Sequence, residues 1–149
     1  YKAITQGPGS YVYLKKTITS SALLTTAQDL SSAATGRFEI VQVIVKTDAT
    51  GLAGATNFEI LSNNANGLVN IAVAAVSGLG ANKTKALAGG SDDSTTDDNF
   101  FEITGRPTIL EAGKKLQYIG TGSAGTGAGT IDVFVVLRRI DQGALISVA

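Results

Sequence analysis

The chain has no histidine, cysteine, methionine or tryptophan, and only two prolines. Without histidine it lacks the commonest general base and the commonest metal ligand. Without cysteine there is no thiol nucleophile, thiolate metal site or disulfide, so the redox compartment leaves no mark. Serine and threonine are plentiful, but with no histidine none can join a conventional triad. These absences predict that the protein is not an enzyme.

Charge is also sparse. Lysine plus arginine and aspartate plus glutamate number 12 each, for 16% charged residues and zero net charge. The basic residues gather no further than the pairs Lys15-Lys16, Lys114-Lys115 and Arg138-Arg139. The footprint of a nucleic-acid or anionic-membrane partner is therefore missing. So weakly charged a surface is poorly protected against self-association, which points to burial of part of it in an assembly. No apolar run approaches the roughly 18 residues that would span a membrane as a helix. The sequence starts at Tyr1, and initiator methionine is normally trimmed only before a small residue. Tyr1 thus points to upstream proteolysis, a removed signal peptide or a start further upstream.

What is present alternates with the period of strands. "RFEIVQVIVKTD" (37–48) is rich in β-branched residues. Phe38, Ile40 and Ile44 fall on one face and Val41, Val43 and Val45 on the other, predicting a central strand covered on both sides. "TIDVFVVLRR" (130–139) sets Ile131, Val133, Val135 and Leu137 against Asp132, Phe134, Val136 and Arg138. Shorter candidates are "YVYLKKTIT" (11–19), "NFEIL" (57–61), "NFFEIT" (99–104) and "KLQYI" (115–119). "GLVNIAVAAVSGLG" (67–80) is read as a strand, and "SSALLTTAQDLSS" (20–32) has room for one helical turn. "ILEAGKKLQYI" (109–119) reads as a hairpin, with Gly113 supplying the positive φ of its turn. Asn66-Gly67 is a second turn signal. Seven or eight short strands at this spacing predict an all-β, antiparallel β-sandwich of jelly-roll type, a single domain over residues 11–149.

Three motifs invite chemistry. "GTGSAG" (120–125) spells the dinucleotide fingerprint, which needs a helix after it to seat a pyrophosphate. The β-alternating run from Thr130 follows instead, so a loop joining two antiparallel strands is expected, with no bound cofactor. Its small residues would let another subunit approach the backbone. "SDDSTTDDNF" (91–100) gathers Asp92, Asp93, Asp97 and Asp98 among hydroxyls, the hard oxygen ligands that calcium takes. It lacks the mid-loop glycine and closing glutamate of the helix-loop-helix motif, and reads first as a solvated acidic loop, then as a calcium site at a subunit boundary. "NKT" (82–84) fits the glycosylation acceptor and matters only in a secreted protein.

The two ends carry assembly signals. In "YKAITQGPGS" (1–10), Gly7-Pro8-Gly9 would hold an extended N-terminal arm, with Tyr1 and Ile4 as its anchors. "ALISVA" (144–149) follows a break at Gly143 and is strand-prone, with Leu145, Ile146 and Val148 apolar. It is either the last core strand or a segment added to a neighbour's sheet. Tyr11 and Tyr13 complete the contacts expected in assembly.

"TILEAGKKLQYIGTGSAGTGAGTIDVFVVLRRID" (108–141), with "TSSALLTTAQDLSSA" (19–33), resembles bacteriophage head decoration and auxiliary virion proteins. The resemblance covers about a third of the chain and lies in texture: a strand pair, a Gly/Ala/Thr-rich loop, and a long last strand ending in basic residues. It implies a trimeric β-sandwich or β-tulip subunit that clamps capsid neighbours without chemistry, so the partners would be copies of itself or a major capsid protein. Tyr1 departs from that pattern, since such proteins commonly keep their natural start. The leading expectation is a virion protein. The second is a secreted, extracellular or cell-surface filament subunit that donates its arm to the next, with calcium at Asp92–Asp98. A carbohydrate-binding module is disfavoured by the missing tryptophan and the few tyrosines.

Overall fold

The computed structural model describes residues 7–64, 67–87, 100–103 and 109–149. They form ten strands: β1 (Tyr11–Thr19), β2 (Gln28–Asp29), β3 (Phe38–Thr47), β4 (Asn57–Asn64), β5 (Gly67–Ala75), β6 (Thr84–Leu87), β7 (Phe100–Ile103), β8 (Ile109–Leu110), β9 (Leu116–Thr121) and β10 (Thr130–Arg139). Among the described residues the helical content is two 3-10 turns, Ser20–Ala22 and Val76–Gly78.

Strand order divides the molecule into two layers. One sheet runs β1-β10-β3-β6, with β8 also on β3, and the other runs β2-β9-β4-β5. β7 joins them, parallel to β6 and antiparallel to β5. Every other pairing is antiparallel. The fold is all-β, two curled sheets enclosing one core. Leu23, Phe38, Phe58, Leu116, Ile131 and Leu137 are fully buried within it. β10 shows why the layers form: its Ile131, Val133, Val135 and Leu137 are buried while the residues between them are half-buried or exposed, as strict alternation demands.

β3 departs from the expectation of a strand covered on both faces. Phe38 and Ile40 are buried, then Val43, Val45 and Thr47. The phase changes because the register against β10 slips: Leu137 faces Ile40 and Val136 faces Gln42, leaving Val41 as an extra, bulged residue. The bulge turns two half-runs onto the same inner face and leaves Val41 44% exposed.

The predicted hairpin at 109–119 is also corrected. Gly113 has φ +80° and Lys114 N donates to the Glu111 carbonyl, so the turn forms. Its two arms do not pair with each other: β8 lies on β3, while β9 lies on β4 and β2. Similarly, the glycine-rich stretch does not close a hairpin, because β9 and β10 belong to opposite sheets. It crosses between layers and packs on its own chain. A β-carbon at Gly125 would collide with the Ser20 carbonyl oxygen, and one at Gly129 with the Gly51 carbonyl oxygen. Gly125 N donates to the Leu23 carbonyl at 2.7 Å and Ser20 N to that of Gly129 at 2.7 Å. The backbone that approaches these glycines is therefore intramolecular, where a neighbouring subunit was expected.

Candidate assembly surface

β1 is the last strand of its sheet, and its hydrogen bonds fix which residues face outward. Arg139 N donates to the Ser10 carbonyl and Ser20 N to that of Gly129, marking hydrogen-bonded positions at both ends of the strand. With the register Tyr11 opposite Arg138 through Thr19 opposite Thr130, Val12, Leu14, Lys16 and Ile18 turn their main-chain groups toward β10. Tyr11, Tyr13, Lys15, Thr17 and Thr19 turn theirs away. Among the described residues, no main chain pairs with that outer edge.

The pleat puts the side chains of those same residues on the outer face of the sheet. Leu14 and Ile18 are buried beneath, whereas Tyr11 is 50% and Tyr13 73% exposed. The two tyrosine rings stack at a 6.4 Å centroid separation. Lys15 Nζ lies 5.6 Å from the centre of the Phe134 ring. Thr17 Oγ1 donates to Asp132 Oδ1 at 2.5 Å, and Arg138 pairs with Glu39 across β10 and β3. The outer face therefore has a central row of Lys15, Phe134 and Ile44, flanked by the polar row Thr17, Asp132 and Lys46 on one side and by Tyr13, Val136 and Gln42 on the other. Rigid aromatics beside polar groups are the composition of interface cores.

The opposite sheet ends differently. β2 is held to β9 through Asp29, which accepts from Lys115 Nζ at 2.7 Å and Gln117 Nε2 at 2.9 Å. These two donors hold its carboxyl below the usual range. The C-terminal segment then covers the chain just after β2. Ser32 N donates to the Ser147 carbonyl, Thr35 N to that of Leu145, and Ala149 N to that of Leu30. Val148 bridges Ser31. The segment's root is fixed by Arg37, whose backbone N and guanidinium donate to Asp141, lowering that carboxyl to about 2. Arg139, buried, donates through Nε to the Ala144 carbonyl and through its guanidinium to Ser10 Oγ.

The expected assembly residues thus fall into three groups. Tyr11 and Tyr13 share the open edge. Leu145, Ile146 and Val148 lie on a segment paired within its own chain, with Leu145 and Val148 still 48% and 39% exposed and Ile146 against the core. Leu145 and Ile146 also line a shallow cleft of about 350 Å³ with Ser32, Ala33, Thr35 and Ser147. Tyr1 and Ile4 lie outside the described residues, as do Asp92, Asp93, Asp97 and Asp98. Of the arm, residues 7–10 form a turn in which Ser10 Oγ donates to the Gly7 carbonyl and Gly9 N to that of Arg139. Asn82 of the glycosylation triplet is exposed at φ 55°. Sequence reasoning missed Lys15, Phe134 and Ile44 as members of one surface; the alternation in β10 and the aromatic pair in β1 were the available signals.

Among the described residues no three histidine, cysteine or acidic side chains stand close enough to hold a metal, and no helix is long and apolar enough to cross a membrane. No family model matches the chain, and no curated protein matches it in sequence. Solved structures similar to it include the capsid asymmetric unit of cyanophage Pam1, at 14% identity over 88% of this chain and 86% of that one, with a TM-score of 0.49. The acid-stable capsid of Helicobacter pylori bacteriophage KHP30 is 8% identical over 93% of this chain and 94% of that one, with a TM-score of 0.48. A pilus of Bacillus endospore appendages is 9% identical over 93% and 95%, with a TM-score of 0.40. Two of these three solved structures are phage capsids.

Proposed function

We propose that this protein is a non-enzymatic structural subunit of a virion, a phage capsid decoration or auxiliary protein that stabilises a shell through subunit contacts. One observation carries this reading: a nine-residue strand whose outer edge has no main-chain partner among the described residues, with two exposed, stacked tyrosines. An edge of that length is costly to leave open in a free monomer, because it templates disordered pairing. The sparse charge and zero net charge of the chain point the same way. Residues 11–149 would act as one β-sandwich domain behind an arm at residues 1–10. We read the wiring as a jelly roll, supported by the alternation of β1 to β4, and of β8 to β10, between the sheet β1-β10-β3-β6 and the sheet β2-β9-β4-β5, with β4 and β5 forming a hairpin within the second.

The second reading is an extracellular filament or tube built by donor-strand exchange, favoured by the same edge, which would accept an arm from the next subunit. In that case Asp92, Asp93, Asp97 and Asp98 would bind calcium at the junction, and chelator would dissolve the filaments.

Electron microscopy of the purified protein, with and without residues 1–10, separates these readings. Closed or cyclic particles support the virion subunit. Filaments that vanish when residues 1–10 are deleted support strand donation. A folded protein that stays monomeric at every concentration overturns both.

A further inference from the structure

We propose that the partner at the open edge is β1 of a second copy, paired antiparallel about a two-fold axis with Tyr13 opposite Lys15. This rests on the structural-subunit reading and deepens it by naming the contact. Among the described residues each subunit offers one long unpaired edge, so two copies joined there close on each other and leave no growing end.

The register follows from chemistry already on the strand. Along β1 only the alternate residues from Tyr11 to Thr19 have main-chain groups without a partner among the described residues, so they must face one another across the axis. Placing Lys15 against Lys15 sets like charges directly opposite, which is destabilising. Placing Tyr13 against Tyr13 slides Thr17 onto Gly9, whose amide already donates to the Arg139 carbonyl. Tyr13 against Lys15 avoids the like charges and loses only Thr19, at the strand end, to Gly9. It sets Tyr11 opposite Thr17 as well, giving four facing pairs and about eight main-chain hydrogen bonds.

The outer face then completes itself. Lys15 already lies over its own Phe134, and in this register Tyr13 of the second copy comes up on its other side. Each ammonium is shared between two rings, one from each subunit. Edge lysines often guard a strand against pairing. Here Lys15 Nζ is drawn back over Phe134 and Lys16 Nζ donates to the Ala149 carbonyl at 2.8 Å, so neither is spent as a guard.

The cysteine-free chain makes the test direct. A hydrogen-bonded antiparallel pair sets its α-carbons about 5.5 Å apart, inside the disulfide range. Tyr11→Cys and Thr17→Cys proteins, mixed at equal concentration and mildly oxidised, should form a covalent heterodimer at least about tenfold in excess of either homodimer. In parallel, Lys15→Pro removes an outward amide while sparing the β10 ladder, which edge strands tolerate. It should raise the dimer dissociation constant by more than about tenfold in sedimentation, with an unchanged circular dichroism spectrum. If Lys15→Pro fails to fold, Tyr13→Lys, which sets lysine against lysine, should weaken the dimer in its place. Heterodimer formation with either weakened variant supports the register. Equal trapping of all pairs, or none, from protein that still assembles in the microscope overturns the β1 contact and leaves the subunit reading standing. Monomers throughout overturn both.

Discussion

The two sheets expose their margins in opposite ways. On one side the chain after β2 is closed by residues 144–149, which meet the amides of Ser32 and Thr35 with the carbonyls of Ser147 and Leu145. On the other side β1 leaves alternate amides and carbonyls along nine residues without a partner among the described residues. Both margins are strand-like and both carry exposed apolar side chains, Leu145 and Val148 on one and Tyr11 and Tyr13 on the other. The lesson is that exposure of a large apolar residue does not by itself mark an interface. Unsatisfied main-chain groups beside it do.

Uncovering the closed margin should have the largest effect. Ending the chain at Gly143 removes three main-chain bonds to residues 30–35, the bond from Ala144 N to the Asp141 carbonyl, and the Ala144 carbonyl that receives Arg139 Nε. At about 1 kcal/mol for each bond, roughly 3–5 kcal/mol of stability should be lost in urea unfolding. The truncated protein should also associate irregularly through the newly opened edge, seen as polydispersity in light scattering.

A milder change displaces the tail without removing it. A β-carbon at Gly36 would lie 2.8 Å from that of Ala144 and 3.2 Å from that of Asp141, so the tail's root packs where only glycine fits. Gly36→Val should cost about 1–3 kcal/mol in urea unfolding. Faster exchange of the Leu145 and Ser147 amides should accompany it, while β1 is unaffected.

Acid should produce the smallest effect, again on the closed side alone. The Asp141 carboxyl is depressed from 3.8 to about 2, first by the Arg37 side chain and then by the Arg37 backbone amide. A carboxylate depressed on folding contributes stability above its unfolded value and loses it as pH falls through its folded one. Tail protection should therefore weaken between pH 3.8 and about 2. Asp141→Asn, measured by amide exchange across the same range, should abolish that dependence. The pair is half exposed to solvent, so salt should diminish the effect.

These contrasts show which features local sequence could carry. β1 and β10 were legible to the residue because unbroken alternation over nine or ten positions has one reading. In β3 the alternation was misread because a bulge at Val41 shifts the phase, and bulges are set by the partner strand. β2 is two residues long and β6 four, too short for a period to show, and both are held by neighbours distant in sequence. The glycines of 120–130 were visible, but not that Ser20, Leu23 and Gly51 fill the space beside them. The candidate surface was half legible. Tyr11 and Tyr13 announced themselves on an edge-prone strand, whereas Phe134 and Ile44 join them only once β10 and β3 lie alongside.

Residue-resolved hydrogen exchange on the isolated subunit and on the assembled form tests the account most directly. The amides of Tyr13, Lys15 and Thr17 should exchange rapidly in the subunit and become protected on assembly, while those of Ser32 and Thr35 stay protected in both. Amides of Tyr13, Lys15 and Thr17 that remain unprotected in the assembled form would contradict the claim that the open edge of β1 is where subunits join.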